Sequence, residues 1–225
     1  IERFGKEVMV RVHEGLASVA PTDITADIVD FRVDLTSFSI DSVRKTLRHI
    51  LDAGLSQGSE IRMAVPADVE RIYKLYLGTM HEAAGIALPR EVFDDLMHRD
   101  VFVFVNKGRI EAVSVFFADN TSAFHFISAS SKVGKELHAP HHLLFHAIKH
   151  YQQAGKQSLF LGGTNAGSSL RTFKEGWRGD ECKIYTISGS SAHEAARQSP
   201  LRSLWKLIPA SLLPKATKLV GRRVF

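Results

Sequence analysis

The sequence has a single cysteine, Cys182, among its 225 residues. That excludes an intrachain disulfide and any multi-cysteine metal site, and it points to a reducing compartment. Long apolar runs are also missing. No stretch approaches the roughly 20 residues that span a bilayer, so the expectation is a cytoplasmic protein, at most lying against the inner face of the membrane. The opening IERFGKEVMV carries neither a signal-peptide pattern nor an initiating methionine, so residue 1 is expected to fall inside a longer protein. There is no short-period repeat and no low-complexity segment, which excludes solenoids and extended disordered tracts. Acidic residues are absent after Glu194.

What is present suits a packed domain. Hydrophobic residues make up 44% and charged residues 24%, enough to bury a core and against disorder. The net charge of +5 gives a mild attraction to polyanions, whether nucleic acid, an anionic membrane or a phosphorylated substrate. From Glu60 the periodicities read β-α-α-β-β-β-α-β-α-β: strands Glu60–Val65, Val101–Val105, Glu111–Ala118, Ala123–Ser130, Leu159–Leu161 and Cys182–Ile187, with helices between. This order predicts an α/β chain with a mixed sheet and helices on both faces. The expected division is an N-terminal extension over 1–55, a main domain over 56–190 and a basic amphipathic tail over 191–225. The tail sets Leu204, Trp205, Leu207 and Ile208 among Arg202, Lys206, Lys215 and Arg222. It either meets anionic lipid or docks its apolar side on the body.

The segment from Ser158 to Trp177, SLFLGGTNAGSSLRTFKEGW, concentrates the chemistry. A strand ends in Gly162-Gly163, a small polar loop follows, and Ser168 or Ser169 caps a helix carrying Leu170, Phe173 and Trp177 at helical spacing. Such a junction is expected to leave backbone N–H groups pointing at a common spot. Lys174 adds a positive charge one turn in. Gly162 to Ser169 nearly spells a phosphate-binding loop but lacks the lysine before the hydroxyl pair, which excludes nucleotide hydrolysis of that kind. His142 and His146 have the i, i+4 spacing of a zinc helix, yet no glutamate follows the first and no third ligand is evident, so no metal is expected. Together with Lys149, His150 and Gln153 they are expected to form a solvated helix face. His138, before that helix, and His125, on the polar side of its strand, are the better site candidates. No hydroxyl or thiol comes with a histidine–acid pair, so direct transfer between two substrates is favoured over a covalent intermediate.

The element order from Glu60 to Ile187 resembles the GNAT acyltransferase fold. LGGTNAGSSLRTFKEGWRGDE is similar to the FemAB-like branch, in which a glycine-ended strand precedes a helix bearing Phe-Lys and a later glycine, here Gly162, Gly163, Phe173, Lys174 and Gly179. VRKTLRHILDAGL and AFHFISASS followed by HHLLFHAIKHYQQAGKQSLFLGG also resemble that branch. The resemblance implies an N-acyltransferase, with aminoacyl transfer from charged tRNA to an amine of a peptidoglycan or polysaccharide precursor. No DNA partner and no resident cofactor are implied. Ile1 to about Leu55 is then the remnant of a first GNAT-like half.

Lys174 is expected to stabilise the tetrahedral oxyanion, a role the resemblance also suggests. Gly162, Gly163, Asn165, Ser169, Arg171, Phe173, His125, Lys132 and His138 are the expected substrate contacts. Acyl-CoA is the alternative donor. Acetyl-CoA enzymes of this kind carry a Gly-x-Gly loop before the central helix, whereas SKVGKELHAP offers only Gly134 and a Pro140 without a donor; Lys132 and Lys135 remain available for phosphates. A non-catalytic module binding membrane or acidic glycan is the reading from another class.

Overall fold

The computed structural model describes residues 9–13, 25–83, 85, 87–165, 168–188 and 213, with backbone alone for 9–13, 25–27 and 185–188. Nine strands form one sheet: β1 Met9–His13, β2 Thr25–Asp34, β3 Ser59–Met63, β4 Asp100–Asn106, β5 Arg109–Ala118, β6 Ser122–Ser130, β7 Ser158–Phe160, β8 Thr164–Asn165 and β9 Asp180–Ser188. The order is β1-β9-β2-β7-β6-β5-β4-β3, with β8 also paired to β2. Every pairing is antiparallel except β6 with β7. The helices are α1 Lys45–Asp52, α2 Val69–Glu82, α3 Arg90–Leu96, α4 Lys132–Glu136, α5 Ala139–Gln153 and α6 Ser169–Glu175.

Strand β4 shows how the layers follow from the sequence. DVFVFVN is apolar at successive positions because both of its faces are buried. Phe102 and Phe104 join one cluster with Leu143, Leu144, Ala147 and Ile148 of α5 and with Leu47 and Leu51 of α1. Val101, Val103 and Val105 join the other, with Ile72, Tyr73, Tyr76 and Leu77 of α2 and Phe93 and Leu96 of α3. The mixed sheet with helices on both faces is therefore the observed architecture.

The division at residue 55 is corrected. Strand β2 lies inside the sheet, between β9 and β7. Its Val29, Phe31 and Val33, with Val43, Leu47 and Leu51, belong to the α5 cluster. The described part of 1–55 shares one core with the main domain, because apolar residues on that side of β2 have no other place to be buried. The expected tail over 191–225 lies outside the described residues, apart from Leu213, which is 2% exposed and packs in the α2–α3 cluster.

Candidate active site

Strands β6 and β7 run parallel only from Ser122–Ser158 to Phe124–Phe160. Beyond that register β6 continues to Ser130, whereas β7 stops. The chain turns at Gly162, at φ +80°, and re-enters the sheet as β8 against Ile28 and Val29 of β2. The sheet thus parts after Phe124 and Phe160, and the glycine corner stands at the point of the opening. A Cβ on Gly162 would lie 2.8 Å from the His125 carbonyl oxygen, and one on Gly163 would lie 2.8 Å from Cγ2 of Ile28. Left-handed backbone and close approach together require glycine at 162.

Helix α6 starts at this corner. Ser168 is its cap, and its Oγ accepts from Arg171 N at 3.2 Å. One turn on, Lys174 is only 4% exposed. Its Nζ donates to the carbonyl oxygen of Gly162 and, at 3.4 Å, to that of Gly163. Burial pushes its pKa down to about 8, opposed by attraction to Asp30. An ammonium has three N–H donors, and two of those on Lys174 are directed at these carbonyls.

Two amides that flank the glycine corner are already engaged. Leu161 N donates to Phe31 O, and Ser168 N donates to Asn165 O. The Gly162 and Gly163 carbonyls meet at the corner on the Lys174 ammonium.

His125 joins Lys174 and the two glycines. It is 9% exposed, and its ring stacks on Phe116 with centroids 4.6 Å apart. Burial, reinforced by the Lys174 charge, lowers its pKa to about 3, so the ring is neutral. Its Nε2 has no hydrogen-bond partner among the described residues. The expected polar face for His125 is corrected: a bulge between Val115 and Phe116 shifts the β5–β6 register. His125 is thereby turned into the core, and Phe126 is left 44% exposed.

The other candidates divide. Phe173 is half-buried, with its ring 4.8 Å from His141, and His141 lies 5.8 Å from His138. His138 itself is exposed, at φ +53°, before α5. Asn165 and Ser169 are exposed. Arg171 is committed to protein carboxylates, donating to Glu175 at 2.8 Å and Glu181 at 2.6 Å. Lys132 is exposed at the start of α4. The glycine of that segment is a packing residue: a Cβ on Gly134 would lie 2.2 Å from the Glu111 carbonyl oxygen. Ser131 Oγ caps α4 by accepting from Gly134 N at 2.9 Å and donates to the Glu111 carboxylate.

The solvated histidine face is also corrected. His142 is 8% exposed and stacks over Phe104, and the rings of His146 and His150 meet Phe102 edge-on at 5.0 and 5.2 Å. Among the described residues no three His, Cys, Asp or Glu side chains form a metal-binding group. The sequence reading missed Asp30, which is fully buried. A lone acid within Ile28-Val29-Asp30-Phe31 was the signal that could have found it, since buried carboxylates need a partner.

The open mixed sheet, with one parallel pair that parts beside a glycine corner, has the fold of FemX and of a lysylphosphatidylglycerol synthetase C-terminal domain. Solved structures carry this assignment. The C-terminal domain (DUF2156) of a putative lysylphosphatidylglycerol synthetase from Agrobacterium fabrum superposes with a TM-score of 0.63 at 18% identity, over 78% of this chain and 64% of that one. FemX gives 0.62 at 10% identity, over 76% and 63%. L-PGS from Bacillus licheniformis gives 0.57 at 16% identity, over 90% and 68%. The chain spans just under two thirds of the first two structures. No family model and no curated protein matches the sequence. Among the described residues no helix is long and apolar enough to cross a membrane.

Proposed function

We propose that the protein is an N-acyltransferase that moves an aminoacyl group from charged tRNA to an amine of a cell-envelope precursor. The observation that carries the reading is the buried Lys174 ammonium at the parting of β6 and β7, in a fold shared with FemX and a putative lysylphosphatidylglycerol synthetase domain. The acceptor amine attacks the ester carbonyl and negative charge develops on its oxygen, where the Lys174 ammonium meets it; the intermediate then collapses, breaking the ester C–O bond, and the departing ribose oxygen of the tRNA takes up the proton that the amine loses. An aminoacyl ester is reactive enough to need no strong general base. Neutral His125 beside the ammonium adds no competing charge. Gly162 and Gly163 hold the ammonium; Phe173, Asn165, Ser169 and His138 lie around the corner as substrate contacts. The envelope precursor, and with it the inner membrane face, supplies the acceptor.

Acyl-CoA is the second reading. Exposed Lys132 at the start of α4 favours it. Against it, the Gly134 amide is already held by Ser131 and the glycine itself is pressed on β5, so the segment has little to offer a pyrophosphate. The deciding experiment incubates the protein with envelope precursors and a donor panel of aminoacyl-tRNAs and acetyl-CoA, read by intact mass. A mass increment from charged tRNA is expected. An increment from acetyl-CoA alone replaces the donor, and no transfer from any donor overturns the reading. Because the protonated lysine is the active form, turnover is expected to fall as pH rises through about 8. A rate that holds well above that pH removes Lys174 from the chemistry.

A further inference from the structure

The geometry points to Asp30 as the positioning residue for Lys174: a buried carboxylate across the sheet from the glycine corner that keeps the ammonium in place and charged. The register puts it there. Val29 pairs with Thr164, and Phe31 O accepts from Leu161 N, so Asp30 stands opposite Gly162 and Gly163. Those are the two residues whose carbonyls hold Nζ. Asp30 is fully buried, and Lys174 is 4% exposed. Two opposite charges this sheltered from water act on each other with little screening, and removing one leaves the other uncompensated. Two carbonyl dipoles alone are a weak counter-charge for a buried ammonium. Phe31 N donates to Asp30 Oδ1 at 2.6 Å, which fixes the carboxylate against its own strand.

The other titratable groups on the elements packed here are few. His125 of β6 is neutral. Cys182 of β9 is the cross-strand partner of Asp30. His141 of α5 rests on Phe173 and is held neutral by burial, its pKa about 4. On α6 itself, Arg171 and Glu175 pair with each other. Asp30 is thus the carboxylate placed to answer Lys174 among the described residues of these elements.

The inference rests on Lys174 acting in transfer, but its main test reads unfolding, so it stands or falls apart from the donor panel. The folded pKa of Lys174 lies below its ordinary 10.5. The unfolded chain therefore binds more protons between the two values, and stability rises with pH across that window. In Asp30→Asn the folded pKa falls further, so the rise begins at lower pH. Thermal melts of wild type, Asp30→Asn, Lys174→Met and the double variant, from about pH 6 to about pH 9, are expected to show a steeper upward slope for Asp30→Asn alone. The double variant is expected to track Lys174→Met. Parallel profiles for wild type and Asp30→Asn, or an Asp30→Asn effect that persists without Lys174, overturn the inference.

If Asp30→Asn does not fold, the double variant is expected to fold, because the stranded ammonium is gone; a double variant that also fails overturns it. In the transfer assay Asp30→Asn is expected to lower kcat at least tenfold near pH 8 and to recover part of it at lower pH. A uniform loss at every pH is the mark of a merely structural role and counts against the proposal.

Discussion

After β6 the chain runs through Ser131, Lys132 and Gly134; after β7 it runs through Gly162, Gly163 and Ser168. Both segments leave a parallel strand, carry glycine and serine, and lead into a short helix bearing a lysine. In the first, Ser131 takes the helix amide, Glu111 takes Ser131, and Gly134 is a point of contact with β5. In the second, Gly162 turns left-handed, and it and Gly163 present their carbonyls to a buried ammonium. Composition does not separate the two. What separates them is where the backbone dipoles point once the neighbouring strand is in place.

Four substitutions probe that contrast. Gly162→Ala meets both a left-handed backbone and the His125 carbonyl. It is expected to lower stability by about 2–5 kcal/mol in a urea titration and to lower transfer in whatever folds, because relief of the clash shifts the carbonyl that holds Nζ. A variant as stable as wild type breaks the account of the corner. Lys174→Ala is expected to keep the far-ultraviolet circular dichroism and lose about a hundredfold in turnover, about 3 kcal/mol of transition-state stabilisation. Gly134→Ala is expected to cost about 1–3 kcal/mol of stability, with turnover per folded molecule unchanged. A matching loss of turnover would make the first junction part of the site. Ser131→Ala removes one helix cap, with about 1 kcal/mol lost and no change in donor preference.

Most strands and helices from residue 59 to residue 188 were readable because their apolar periods are local properties of the chain; α4 and β8, which read as polar loops, were not. The place of β2 was not. Its partners include Phe160, Thr164 and Cys182, and no local pattern records a pairing so distant in sequence. His125 was placed on the wrong face because one bulge residue reverses the alternation after it. The histidines of α5 were read as solvated because imidazole counts as polar, although its ring packs against Phe102 and Phe104 as an aromatic surface does. Lys174 was legible from its spacing after the glycine pair. Its burial and its dependence on Asp30 were not, since both come from the far strand.

The single parallel pair also bears on how the chain assembles as it leaves the ribosome. Strands β3 to β6 and helices α2 and α3 are neighbours along the sequence and can close on one another early. Strand β2, made before any of them, has as its sheet partners only β7, β8 and β9, all made later. Until then it is an orphan edge with apolar residues on one face, open to the wrong strand or to a chaperone. The lysine corner is complete only once β2 and β7 have paired, because Asp30 lies on β2 while Gly162 and Gly163 follow β7.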